Sequence, residues 1–375
     1  MKVLLCPDSF KDSLSSQAII DSLTGALSAS FEISSQPLSD GGEGSADVLA
    51  GQFPNLTKQQ LSVSGPLGQK IDASYYVDVE AETAIIESAK ACGLDLLTEE
   101  QRNPLITSTY GVGQLIRHAV DIHRVKKVNL TIGGSSTVDG GAGILKALGF
   151  KLLDKNSCEI ANGGAALKNL ERIVSTDEIS DLSISILCDV TNPLLGPNGS
   201  AHIFAPQKGA SPADVELLED ALSNYADILE KTGIENSRNF ASAGAAGGIG
   251  FALINCLNAK LVNGFDFISK EVNLEEKMSA ADLIITGEGK LDSQTASGKV
   301  CSAVAALARK HAKECIAVVG MNQLSEASLA QMGISKVYQC MTEEMTKEES
   351  LSNTGGRLIQ IAEAIVLDYG DSSSV

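Results

Sequence analysis

Four segments of the chain combine glycine with acidic or small polar residues, and each lies near a short apolar run or the start of a helical pattern. They span residues 40–44, 133–141, 243–250 and 287–292. Glycine adopts positive φ angles and lets backbone N–H groups approach an anion closely. Four such loops predict an anion-handling site assembled from distant parts of the chain, with phosphates as the expected anions.

Composition narrows the class of protein. The chain has 375 residues, enough for about two domains. Its formal net charge of -18 and its low aromatic content of 4% argue against nucleic acid or an anionic membrane as a partner. The eight cysteines form no C-x-x-C pair. We interpret them as buried free thiols and, without a signal-peptide or membrane-spanning pattern, expect a cytoplasmic protein.

The two ends of the chain share one pattern, in which short apolar runs alternate with helical spacing. Strands are predicted at residues 2–6, 34–38, 282–286, 315–319 and 337–340, and helices at 15–27, 300–312 and 358–367. This alternation is typical of a doubly wound, Rossmann-like α/β domain.

The middle of the chain has a different pattern. Strands of hairpin type are predicted at residues 69–78 and 83–86, with further strands at 125–132 and 184–188 and helices at 110–120, 142–148 and 212–230. We predict a discontinuous Rossmann-like domain, residues 1–62 plus 281–375, with an inserted α+β domain of residues 63–280 and a cleft between them. The alternative is two consecutive domains divided near residue 150.

Charged residues that follow predicted strands are the first candidates for the site, because ligands of open α/β sheets bind at the carboxyl ends of strands. Asp8, Ser9 and Lys11 follow the first strand and suit binding of a sugar acid, although helix capping explains the same pattern. Asp40 and Glu43 suit Mg²⁺ or hydroxyl recognition, although an acidic first helical turn explains them equally.

A second group lies between a predicted strand and a predicted helix, which is the setting of a phosphate-binding loop. Its members are Gly133, Gly134, Ser135 and Asp139. The segment has neither the Walker A sequence nor the G-x-G-x-x-G dinucleotide pattern. Asp139 is a candidate ligand for a cation, and a purely structural turn is the alternative.

Two further residues come from the second half of the predicted insertion. Asp189 directly follows a predicted strand and suits a general base or a Mg²⁺ ligand. Lys208 is interpreted either as a cation that neutralises phosphate or as a solvated surface group. The segment at residues 243–250 has no acid or lysine of its own, so we assign it to close backbone packing or a helix start.

The densest polar segment follows the predicted strand at residues 282–286. It is expected to form a loop that carries Gly287, Glu288, Gly289, Lys290 and Asp292 to the cleft. The two glycines are candidates for phosphate binding, and the charged residues for catalysis and substrate binding. The four histidines form no metal-binding pattern, which makes a zinc site improbable.

In their order along the chain, these segments closely resemble the bacterial glycerate kinase family. The resemblance rests on residues 7–15, 40–44, 102–104, 109–113, 133–141, 188–194, 207–210, 244–248 and 285–289. It implies a two-domain α/β fold and transfer of the γ-phosphoryl group of ATP to D-glycerate with Mg²⁺. The favoured product is 2-phosphoglycerate, with 3-phosphoglycerate as the alternative, and oligomeric state is left open.

The resemblance also frames the residue roles. Asp189 is the preferred base, with Asp8 and Asp292 as rivals, and Asp189 and Asp139 are the candidate metal ligands. The glycerate carboxylate or the phosphates are assigned to Lys11, Lys290 and Arg102. Two departures from the family pattern stand out. Asp12 replaces a usual glycine, and Val138 removes a polar side chain from the loop at residues 133–141.

Two other classes of protein remain as alternatives. An NAD-dependent hydroxy-acid oxidoreductase would use the Rossmann-like half, although no G-x-G-x-x-G follows the first strand. A two-domain sugar-acid binding protein would need neither ATP nor Mg²⁺.

Overall fold

The computed structural model describes residues 1–375 except 12, 43, 176–178, 180, 232, 293–298, 343, 344, 347, 348, 350, 351 and 371–375. The chain divides into two compact units. Unit 1 comprises Met1–Asp40 and Phe265–Val375, and unit 2 comprises Gly41–Gly264.

The strands are β1 (Lys2–Pro7), β2 (Glu32–Ser35), β3 (Thr57–Ser64), β4 (Lys70–Asp78), β5 (Thr83–Glu87), β6 (Lys127–Thr131), β7 (Lys151–Leu153), β8 (Arg172–Val174), β9 (Ser183–Leu187), β10 (Lys260–Val262), β11 (Leu283–Leu291), β12 (Glu314–Asn322) and β13 (Lys336–Gln339). The helices are α1 (Ser16–Leu27), α2 (Ser45–Ala50), α3 (Ala89–Cys92), α4 (Tyr110–His123), α5 (Ala142–Ala147), α6 (Ser200–Phe204), α7 (Pro212–Leu229), α8 (Ala245–Leu257), α9 (Gly264–Glu271), α10 (Leu274–Ser279), α11 (Val300–Lys310), α12 (Glu326–Met332) and α13 (Thr354–Tyr369).

Unit 1 is built on a parallel sheet with the strand order β13-β12-β11-β1-β2. The centre of the sheet is apolar on both faces, as the fully buried residues of β1 show, and such strands need helices on both sides. Helix α1 buries Ile19, Leu23 and Leu27 in a core that also contains residues of α13. The order of the strands reverses between β1 and β11, and doubly wound sheets bind ligands outside the carboxyl ends of the strands at such a point.

Unit 2 contains a mixed sheet with the order β10-β9-β6-β5-β4-β3. Strands β10, β9, β6 and β5 are parallel, whereas β4 is antiparallel to both β5 and β3. A short antiparallel pair, β7 with β8, lies apart from this sheet. The carboxyl ends of β5, β6 and β9 therefore meet at one edge, because parallel neighbours end together.

The boundaries of the two units differ from the predicted ones, which lay after residue 62 and before residue 281. Strand β3 pairs with β4 along its whole length and therefore belongs to unit 2, which begins at Gly41. At the other end, α10 and most of α9 belong to unit 1. The predicted cleft between the two parts stays a prediction.

Two expectations from composition concerned the cysteines, as buried free thiols, and the absence of a membrane-spanning pattern. All eight cysteines are free thiols, and five are buried, but Cys158 is exposed in the turn that follows β7. Within the described part of the chain, no helix is both long and apolar enough to cross a lipid bilayer.

Candidate active site

The carboxyl ends of β1 and β11 bring together several of the predicted residues of unit 1. Pro7 is in register with Gly287, and the N–H of Asp8 donates to the carbonyl oxygen of Gly287 at 2.8 Å. A Cβ atom on Gly289 would lie 3.2 Å from the backbone nitrogen of Lys11. The segment after β1 and the end of β11 therefore run side by side where the strand order reverses.

Three carboxylates interact at this edge, and we call Asp8, Asp40 and Glu288 the acid cluster. Burial raises the pKa of Asp8 well above its usual range, and the negative charges of Asp40 and Glu288 raise it further. The N–H of Ser9 donates to Oδ1 of Asp8 at 2.6 Å and opposes this rise in the pKa. Because like charges repel strongly where water is excluded, the cluster favours a bound cation or a retained proton.

The segment at residues 287–292 is not the loop that we predicted. Strand β11 continues to Leu291, and residues 287–291 lie beside β12. Neither Gly287 nor Gly289 has a positive φ. A Cβ atom on Gly287 would lie 2.3 Å from the carbonyl oxygen of Val318, and one on Gly320 would lie 2.3 Å from that of Gly289. These glycines therefore permit close packing of two strands.

The charged residues of the same segment lie at the end of β11. Lys290 has an exposed side chain, and its Nζ atom is 3.1 Å from the Oδ2 atom of Asp292 in an ion pair. Glu288 is buried and belongs to the acid cluster. Lys11 is exposed. The structure thus brings together Asp8, Ser9, Lys11, Asp40, Gly287, Glu288, Gly289, Lys290 and Asp292 at one edge of unit 1.

Gly287→Ala is expected to destabilise unit 1 by about 1–3 kcal/mol or more, because the added methyl group would force β11 and β12 apart. Gly289→Ala is the matched control, since its Cβ atom would first meet an atom at 3.2 Å instead of 2.3 Å. Thermal unfolding followed by circular dichroism measures both variants. Equal losses in the two would contradict the steric role of Gly287.

In unit 2, residues 133–141, which we call the Gly133 loop, connect β6 with α5. The hydroxyl of Thr107 donates to the carbonyl oxygen of Ser136 at 2.9 Å, and both the N–H and the hydroxyl of Ser136 donate to the carbonyl oxygen of Cys92, at 2.8 and 2.9 Å. Gly134 is exposed and has a φ of 72°. Val138 is fully buried in the core of unit 2, so its departure from the family pattern contributes an apolar contact.

Asp139 is buried and anchors the end of the Gly133 loop. Its carboxylate accepts hydrogen bonds from the N–H and the hydroxyl of Thr109, at 2.8 and 2.9 Å, and from the N–H groups of Gly141 and Gly143, at 3.1 and 3.2 Å. Burial raises the pKa of Asp139, and these four donors oppose the rise. A carboxylate that already has four protein donors is better suited to holding a loop than to ligating a metal ion.

Lys208 also contacts the Gly133 loop, since its Nζ atom donates to the hydroxyl of Ser135 at 2.9 Å and to the carbonyl oxygen of Thr137 at 2.7 Å. Arg102 lies beside Gly209, the residue that follows Lys208, because a Cβ atom on Gly209 would be 2.3 Å from the carbonyl oxygen of Arg102. The Nε atom of Arg102 is buried and has no hydrogen-bond partner among the described residues.

Residues 243–250 were predicted to take part in close backbone packing or to start a helix, and they include the start of α8. Helix α8 is interrupted by three consecutive residues with positive φ, Ala246, Gly247 and Gly248. The carbonyl oxygen of Gly247 accepts the N–H of Gly140 at 2.8 Å, and a Cβ atom on Gly247 would lie 2.0 Å from the carbonyl oxygen of Thr137. The start of α8 therefore packs directly on the Gly133 loop.

Asp189 follows β9 at the sheet edge that also carries the Gly133 loop after β6. Its Oδ1 atom accepts the N–H of Gly264 at 2.6 Å. Gly41 lies nearby, since its Cβ atom would be 3.0 Å from the Cα atom of Gly264 and 3.3 Å from the Cβ atom of Leu187. Asp189 thus lies beside the two residues where the chain enters and leaves unit 2.

Sequence reasoning missed Glu87, a buried carboxylate at the end of β5. Its Oε1 atom accepts the N–H of Gly44, and its Oε2 atom lies 3.9 Å from Nζ of Lys90. Glu87 therefore anchors Gly44, which has a φ of 85° like Gly41. The signal that identified Asp189, a carboxylate directly after an apolar strand, would also have found Glu87.

The predicted site residues thus fall into two groups, one at the edge of each sheet. Among the described residues, no three or more His, Cys, Asp or Glu side chains form a ready-made metal site. Asp12 and Glu43 lie outside the described residues.

Comparison with known proteins identifies the family. Residues 3–369 match the glycerate kinase family. The chain is 39% identical over 356 residues to a protein of Escherichia coli (strain K12) named glycerate 2-kinase, with 93% of each chain covered. It is 36% identical over 359 residues to a protein of Bacillus subtilis (strain 168) named glycerate kinase, with 94% of each covered.

A crystal structure shows the same architecture. It is a protein of Salmonella typhimurium LT2, provisionally described as glycerate kinase 2, with a TM-score of 0.82, 36% sequence identity and 98% of each chain covered. The match covers nearly the whole chain and therefore extends over both units. The chain belongs to the glycerate kinase family.

Proposed function

We propose that this protein transfers the γ-phosphoryl group of ATP to the 2-hydroxyl group of D-glycerate. The observation that carries the proposal is the acid cluster at the point where the strand order of unit 1 reverses, in a chain that matches the glycerate kinase family over residues 3–369. Carboxylates in a partly buried site suit the hydroxyl groups of a sugar acid and the cation that accompanies a nucleotide. The name of the Escherichia coli relative favours 2-phosphoglycerate over 3-phosphoglycerate.

The residues of the two edges have different tasks in this proposal. Asp189 accepts the proton of the attacking hydroxyl group, and Asp8 and Asp292 are its rivals. Lys11, Lys290 and Arg102 neutralise the glycerate carboxylate or the phosphates. The backbone of the Gly133 loop holds phosphate oxygens, and Asp139 positions that loop instead of binding a metal ion. Phosphoryl transfer depends mainly on such positioning and charge neutralisation.

The acid cluster offers carboxylate oxygens, the ligand type that Mg²⁺ prefers, but among the described residues its three side chains do not converge on one metal position. A divalent cation nearby would relieve the repulsion that raises the pKa of Asp8. Mg²⁺ usually keeps several of its water ligands, so it does not require a cage made entirely of protein. When bound, it would neutralise charge on the phosphates of the nucleotide. Asp189 remains a second candidate ligand.

An ADP-release assay with Mg²⁺ and a panel of small hydroxy acids tests the function. We expect ADP release with D-glycerate and a ³¹P NMR spectrum of the product that identifies 2-phosphoglycerate. A 3-phosphoglycerate spectrum would refute the position of phosphorylation but not the kinase activity. A thermal shift with glycerate and no ADP release would favour a binding protein, and stabilisation by NAD(H) would favour an oxidoreductase.

A further inference from the structure

Lys208 is a buried cation in unit 2, with only 2% of its surface exposed. It ends the short 3₁₀ turn Pro206–Lys208 that follows α6. Both acceptors of its ammonium group belong to the Gly133 loop: the hydroxyl of Ser135 at 2.9 Å and the carbonyl oxygen of Thr137 at 2.7 Å. The side chain therefore reaches under the loop and is neither a solvated surface group nor an exposed phosphate ligand.

The surroundings of the ammonium group explain why it lies there. The ionisable groups that act on it are the thiol of Cys92 and the carboxylate of Asp139. Burial lowers the pKa of Lys208 to about 8, and the negative charge of the Asp139 carboxylate opposes that shift. Burial raises the pKa of Cys92 to about 12, so the thiol is neutral at pH 7. Hydrogen bonds from an ionised donor are about twice as strong as neutral ones, so the ammonium group fixes its two acceptors firmly.

The rest of the Gly133 loop shows what this anchor does. Ser136, between the two residues that Lys208 contacts, is hydrogen-bonded to Cys92 and Thr107. The N–H of Gly140 is bonded to Gly247. Lys208 therefore completes a set of contacts that fixes the backbone on both sides of Ser136.

We propose that Lys208 is a positioning residue that fixes the backbone of the Gly133 loop for phosphate oxygens through Ser135 and Thr137 and does not itself contact phosphate. This inference rests on the proposed function, in which the loop binds the phosphates of ATP. It assigns to Lys208 a role that the position of a lysine between Gln207 and Gly209 in the sequence does not indicate.

The proposal predicts that rising pH has opposite effects on the stability of the fold and on ATP binding. Because the pKa of Lys208 in the folded protein lies below the ordinary lysine value of 10.5, burial of its charge destabilises the fold below pH 8. That destabilisation disappears as the pH rises from about 8 towards 10.5. Over the same range the loop loses its charged anchor, so ATP binding should weaken while the contribution of Lys208 to stability improves.

The test compares wild type, Lys208→Met and Lys168→Met, a control that removes an exposed lysine of unit 2. In Lys208→Met we expect the amides of Ser136 and Gly140 to exchange hydrogen at least about tenfold faster, and KM for ATP to rise about tenfold with a smaller change in kcat. In wild type, KM for ATP should rise as the pH passes about 8, and this rise should be absent in Lys208→Met. Lys168→Met should match wild type.

Other results would overturn the proposal. A higher KM with unchanged exchange in the loop would indicate direct contact with phosphate. Reduced global stability with unchanged KM would indicate a purely structural role. If Lys208→Met does not fold, Ser135→Ala provides a second test because it removes one acceptor of the ammonium group. This variant should show part of the faster hydrogen exchange. Unchanged exchange in Ser135→Ala would count against the proposal. Hydrogen exchange is measured without substrate. If exchange is faster in Lys208→Met but wild type releases no ADP, the proposed function is refuted and the anchoring of the loop by Lys208 is not.

Discussion

Asp189→Asn is expected to lower kcat by about 10²- to 10⁴-fold, the usual contribution of a general base, with a thermal midpoint close to that of wild type. The Oδ1 atom of Asp189 accepts the N–H of Gly264 at 2.6 Å. Asparagine keeps an oxygen for this bond but cannot take the proton of a hydroxyl group. The geometry at the end of β9 should therefore survive while the chemistry fails. Steady-state ADP release gives kcat and KM, and circular dichroism gives the midpoint.

The rival carboxylates provide the matched variants. Asp8→Asn and Asp292→Asn should each retain more turnover than Asp189→Asn if the assignment is correct. Calorimetric titration with D-glycerate and with a non-hydrolysable ATP analogue shows whether substrates still bind. Nearly full turnover in Asp189→Asn, with both substrates bound, would exclude Asp189 as the base. A larger loss in Asp8→Asn would transfer that role to the acid cluster.

Asp139→Ala is expected to lower the free energy of unfolding by about 3–5 kcal/mol, because it leaves four buried donors without an acceptor and each unsatisfied group costs about 1–3 kcal/mol. These donors come from Thr109, Gly141 and Gly143. Some of them will regain partners by relaxation or by admitting water, which keeps the total below the full sum. Urea unfolding at pH 7 measures the loss.

Asp121→Ala is the control for this prediction. Asp121 is exposed, and its Oδ2 atom lies 2.9 Å from the Nε atom of Arg117 in an ion pair on the surface of α4. Such pairs contribute about 0–1 kcal/mol, so the control should unfold almost like wild type. A stable Asp139→Ala variant that has lost Mg²⁺ binding would restore the metal-ligand interpretation of Asp139.

The order of the main elements was predictable because burial on two faces leaves a clear pattern. The apolar run of β1 and the helical spacing of α1 identify the start of a doubly wound sheet directly. Strand β3 escaped prediction because it lies at the edge of its sheet and is largely polar, with the sequence TKQQLSVS. Its position is fixed by pairing with β4, which is a tertiary contact.

The site was predictable only in part, for a related reason. The rule that ligands bind at strand ends led to Asp8 and Asp189, and it would also have found Glu87. Gly287 looked like a loop residue because a glycine that allows two strands to pack closely has the same local sequence as a glycine in a turn. Burial of Lys208 depends on a loop about 70 residues earlier in the chain, so no local pattern shows it.

The insertion of unit 2 also determines the order in which the protein can fold during synthesis. Strand β1 needs β11 as a neighbour, and Val3 pairs with Leu283, whereas unit 2 is continuous from Gly41 to Gly264. At about 5–20 residues per second, the ribosome needs roughly 12–50 s to proceed from β2 to β11. All residues of unit 2 are therefore synthesised before β11, the neighbour with which the apolar strand β1 pairs. During that interval β1 is an exposed sheet edge that a chaperone or an aggregation partner can bind.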